Sequence, residues 1–189
     1  MTPSSIPVPR WKPLQARVTS SPGARSAKLL DDVIGQFNVA DNPRYRSEKG
    51  ATWCNIFACD VMAAMGVVLP HWVTRNGQPV AFGPKGVPDD ALETTANALA
   101  IWLDMHGVSW GWVRMSPVAL QVHTNGGHPG VVVWNAGAGK HGHIAVARPG
   151  VWADGGPWTA QAGATCFAQG LASRGFGTHL KDVECWGAP

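Results

Sequence analysis

At Gly130 the apolar residues of this 189-residue chain change their period. Before it they recur every three to four positions, as a helix with one buried face requires. After it they alternate or run in short β-branched blocks, as strands do. The spacing predicts helices over 26–37 (Leu29, Leu30, Val33, Ile34 and Phe37 on one stripe), over 53–65 with Gly66 as the stop, from Asp89 or Asp90 to about His106, and from Pro117 to about Thr124. It predicts strands at VVVWN (131–135), GHIAVARP (142–149), WTAQAGATC (158–166) and DVECWG (182–187). Helices first and antiparallel strands after is the α+β order. Residues 1–25, rich in Pro, Ser and Arg, read as a flexible arm, and 26–189 as a single domain.

Composition narrows the function classes. Net charge is +3 with Lys and Arg scattered, which is no footprint for nucleic acid. No run of 18 apolar residues exists, so no membrane span is expected. The first 26 residues lack the apolar core of a signal peptide, so the expectation is a chain made in the cytoplasm. Of four cysteines, Cys54 and Cys59 share one predicted helix, while Cys166 and Cys185 lie on late segments where a disulfide would fit.

Cys54 stands at the start of the most apolar helix, in the stretch GATWCNIFACDVMAAMG. With Thr52 as N-cap, the sulfur would lie among the unpaired N–H groups of the first turn, which favour thiolate and can hold a developing oxyanion. Cys54 also heads the stripe Phe57, Ala58, Val61, Met62, Met65, so it should face the core. In the strand GHIAVARP, alternation puts His143 on one face with Ala145 and Ala147. Small residues there would let the cysteine helix approach closely. On the next strand Gln161 is the long amide that can orient an imidazole. Buried cysteines are common and mostly inert, so the helix alone does not decide between nucleophile and core residue.

The trio TWCNIFACDV, GHIAVARPG and QAGATCFAQG resembles the papain-like cell-wall hydrolases, the NlpC-type peptidases and CHAP amidases of phage endolysins and secreted antibacterial effectors. The resemblance covers roughly residues 42–175. It implies a papain-like fold, Cys54 as nucleophile, His143 as base, Gln161 in the third place, and Tyr45 as oxyanion donor. Trp53, Asn55, Trp134 and His141 flank the motifs and are the expected substrate contacts. The substrate implied is a peptide amide of peptidoglycan, cut without a cofactor by a monomer. Action at the wall would follow delivery, with a delivery or immunity partner. NlpC-type enzymes usually read Asp-Cys-Ser where this chain has Trp53-Cys54-Asn55, and their third residue is often histidine. The long Cys-to-His separation makes residues 67–115 look like a helical insertion.

Two other readings stand beside this one. A zinc amidase could use His141 and His143 with Cys166 or Cys59, although no H-E-x-x-H or C-x-x-C pattern is present. Ten tryptophans against one tyrosine would also suit a non-catalytic wall-binding module.

Overall fold

Residues 9–189 are described by a computed structural model. The first eight residues, part of the expected arm, lie outside the described residues. The helices and short strands of the first half are α1 (Ala27–Gly35), α2 (Cys54–Ala64), β1 (Trp72–Val73), β2 (Leu92–Glu93), α3 (Ala96–His106), β3 (Val113–Met115) and α4 (Pro117–Asn125). Then come β4 (Gly130–Trp134), β5 (His143–Ala147), β6 (Trp158–Gln161), β7 (Phe167–Leu171), α5 (Ala172–Phe176) and β8 (Glu184–Gly187). The order is α+β. A six-stranded antiparallel sheet, β3-β8-β4-β5-β6-β7, carries helices on both faces.

Strand alternation sorts the core into two layers. Val131, Val133, Ile144, Val146, Ala160 and Ala162 face α1, α2 and α3. Val132, Ala145, Ala147 and Cys185 face Leu120 of α4 and Ala172 and Phe176 of α5. A period-2 strand buried on both faces must be apolar throughout, and β4 is, as is β5 after its first residue, His143. Helix α2 is apolar almost all round, as a helix at the centre of a layer has to be.

Several expectations need correcting here. The third helix starts at Ala96, where Thr95 accepts from the N–H of Ala98 as N-cap, not at Asp89 or Asp90. Leu92, inside the span predicted for that helix, is half exposed in β2 instead. Residues 67–115 are built into the fold. Leu99, Ala100, Trp102 and Leu103 of α3 join the main core, and β3 extends the sheet. Residues 9–18 are pinned by side chains. Arg44 donates to the carbonyls of Pro9, Arg10 and Lys12, and Gln36 accepts from the N–H groups of Arg17 and Val18.

The cysteine pair also separates. Cys166 precedes β7 and packs against the α2 layer, whereas Cys185 lies in β8 among the opposite layer. Strands β7 and β8 are four places apart in the sheet, about 19 Å at the usual strand spacing. All four cysteines are free.

Candidate active site

Cys54 is the first residue of α2 and 4 % exposed. Thr52 does not cap the helix. Trp53 holds the cap position and offers no side-chain acceptor. The first-turn N–H groups are therefore left to the sulfur and to the space in front of it. Burial pushes the Cys54 thiol up, while the backbone amides of Ile144, Asn55 and Cys54 itself pull it back. The sulfur thus lies near the backbone amide of Ile144, the residue that follows His143 at the start of β5.

His143 opens β5, paired across the sheet with Trp134 at the end of β4. Its Nε2 lies 2.7 Å from Oε1 of Gln161, a side chain 4 % exposed at the end of β6. Gln161 Nε2 donates to the carbonyl of Thr165 at 3.0 Å, which fixes which end of the amide faces the ring. An amide oxygen at Nε2 requires a proton there, so Nδ1 carries the lone pair. The ring of Phe176 lies 4.9 Å away, and burial pushes the imidazole down from its ordinary 6.5, with the Gln161 bond opposing.

The face assignment differs from expectation. Ala145 and Ala147 make room for α4 and α5, not for the cysteine helix. Cys54 reaches β5 from the other side, over Ile144 and Val146. Nucleophile and imidazole therefore belong to opposite layers, with the sulfur by the amide of Ile144 and the ring against Gln161 and Phe176. No hydrogen bond joins Sγ to the ring; catalytic pairs commonly tighten on binding substrate.

In front of Cys54 opens a cleft of about 670 Å³. One wall is Gly50–Asn55, another Glu93–Asn97, and the third the loop 139–142 before β5. Trp53, Asn55 and His141 line it. Asn55 also donates to the carbonyl of Thr94 at 2.7 Å, tying two walls together. Asn97, which no sequence pattern marked, donates to the carbonyls of Gly137 and Lys140 and accepts from the N–H of Ala136. It clamps the loop that carries His141. Trp134 lies elsewhere, stacked 3.7 Å from His179 on the α5 side of the sheet.

Tyr45 is not at the oxyanion position. It is fully buried, and its only proton goes to Oδ2 of Asp60 at 2.9 Å. Asp60 is six residues along α2 from Cys54, about 9 Å at the helical rise. Burial and the Asp60 carboxylate both push the phenol up. Tyr45→Phe is accordingly expected to leave turnover within about threefold and to lower stability by about 1.5–3 kcal/mol, the net worth of a hydrogen bond to a charged group. Steady-state rates beside a denaturant melt check this, and a hundredfold loss of turnover at unchanged stability would restore the phenol to the site.

Among the described residues no three His, Cys, Asp or Glu side chains gather as a metal site. The zinc reading therefore lacks a ligand set there. No described helix is long and apolar enough to cross a membrane. Comparison of the chain with protein-family models gives no match, and comparison with curated proteins gives none.

Proposed function

We propose that this chain is a papain-like cysteine hydrolase that cleaves a peptide amide in peptidoglycan. The observation that carries the reading is the 2.7 Å contact of His143 Nε2 with Gln161 Oε1, which in a neutral ring puts the proton on Nε2. It leaves a basic nitrogen on His143, one residue from the amide against which the Cys54 sulfur rests. In this reading His143 Nδ1 takes the thiol proton as substrate enters the cleft. The sulfur attacks the amide carbonyl, and N–H groups of the α2 first turn hold the oxyanion. The imidazolium returns its proton to the leaving amine. Water, deprotonated by the same nitrogen, then clears the thioester. No cofactor enters any step. The trio of motifs that resembles cell-wall hydrolases supplies the substrate class, and action at the wall after delivery from the cytoplasm follows from it.

The test is mass spectrometry of soluble fragments released from purified peptidoglycan by wild type and by Cys54→Ala. Defined muropeptides from wild type alone support the reading and name the bond. Release by both makes Cys54 structural. Release by neither removes peptidoglycan as substrate.

The resting pair is neutral in this mechanism, because burial raises the thiol and lowers the imidazole. His143 works only unprotonated, and its depressed value keeps it so below 6.5. The acid limb of kcat/KM is expected below that value, and a limb above it would contradict the assigned base. Stability follows the same sign. The unfolded chain takes this proton more readily than the fold, so the contribution of neutral His143 is present above 6.5 and declines as the pH falls through it.

A further inference from the structure

Helix α5 approaches the His143–Gln161 pair from the layer opposite the nucleophile. A β-carbon built at its Gly175 would lie 1.9 Å from Gln161 Oε1, 2.9 Å from the amide carbon and 3.3 Å from its nitrogen. Oε1 is the same atom that faces His143 Nε2. Gly175 has no positive φ, so its backbone does not demand glycine. Alanine would be the better helix former there. Its absence calls for another cause, and the carboxamide of Gln161 occupies the place a methyl would take.

We propose that Gly175 is a positioning residue of the site: its missing side chain is the seat that lets Gln161 turn its oxygen to His143. The conflict that alanine creates falls on the far end of a flexible side chain. Relief by rotating that side chain about its own χ angles costs far less than moving backbone. Gly175→Ala should therefore keep the fold and unseat Gln161. The imidazole would lose the acceptor that holds its proton on Nε2, and both tautomers would become accessible. Gly163 also borders the pair: a β-carbon there would stand 3.3 Å from His143 Cε1 and 3.7 Å from Gln161 Nε2.

The kinetic part of this inference rests on the hydrolase reading; the seat itself does not. The experiment is therefore NMR of the His143 ring in the full chain, for wild type, Gly175→Ala, Gln161→Ala and Gly35→Ala. The last is a control, because a β-carbon at Gly35 meets nothing within 4 Å. Gly175→Ala is expected to lose the protected Nε2–H resonance and to titrate at lower pH than wild type, as Gln161→Ala does, while Gly35→Ala keeps both signatures. Turnover should fall about five- to tenfold in kcat, with KM within about twofold, as the loss of one orienting hydrogen bond implies. A folded Gly175→Ala that keeps the resonance and its titration overturns the proposal. If Gly175→Ala does not fold, the double variant with Gln161→Ala decides: its folding supports the clash with Gln161, and its failure to fold overturns the seat. If wild type hydrolyses nothing, the hydrolase reading fails while the ring signatures still answer for Gly175.

Discussion

Cys54→Ala is expected to lower kcat/KM on peptidoglycan by at least about 10³-fold, because a nucleophile acting as one unit with its base cannot be replaced in part. The fold should survive. The change removes one buried sulfur at the head of α2, a loss of about 1 kcal/mol by analogy with small core truncations, and alanine is the stronger helix former. Far-UV and thermal melts close to wild type would separate lost chemistry from lost structure. Adding His143→Ala should cost nearly nothing further, since the two groups serve the same step. Residual activity above about a tenth of wild type would sink the assignment. It would turn attention to Cys166, the partly exposed thiol, which donates to the carbonyl of Tyr45.

The sheet and most helices were legible because their apolar periods are long and unbroken. β4 and β5 read as strands since β-branched and small apolar residues fill both faces. β3, which is short, and β7, whose residues are mixed in polarity and size, escaped notice, and they gain their strand character from neighbours. The start of α3 was misplaced because Asp89 and Asp90 look like caps, while Thr95 makes the bond. At the candidate site, Cys54, His143 and Gln161 were proposed from residue type and alternation, and the structure shows the bond between the last two. Which layer each faces could not be read, because alternation says who shares a face and not which helix covers it. Tyr45 shows a second limit. The role the resemblance implies for its hydroxyl does not survive its acceptor, Asp60. Gly175 shows a third, for a missing side chain leaves no periodic signal and its meaning lies in what stands 1.9 Å from the place it leaves open.

The largest stability effect should come from that acceptor. Asp60 is 6 % exposed and takes the guanidinium of Arg44 at 2.8 Å, the Tyr45 hydroxyl at 2.9 Å and the N–H of Leu14 at 3.4 Å. All these partners are donors. Asp60→Asn keeps the shape but replaces one acceptor oxygen with an amide nitrogen that donates too, so donors would face donors around a buried guanidinium. Removing one member of a buried ion pair typically costs about 3–5 kcal/mol. For a chain of this size that is about 6–20 °C of melting temperature. The carbonyls of Pro9, Arg10 and Lys12 also lean on Arg44, so the segment 9–14 should loosen with it and become the first site of proteolysis. Activity per folded molecule should stay close to wild type, since Asp60 lies about 9 Å down α2 from the sulfur. Replacing Arg44, Tyr45 and Asp60 together by apolar residues of similar volume should recover much of the loss, because no charge is then left buried without its partner. A melting shift below about 2 °C for Asp60→Asn would mean that water or rearranged carbonyls satisfy Arg44 as well as the carboxylate does. The buried pair would then hold the register of residues 9–14 against α2 without setting the stability of the fold.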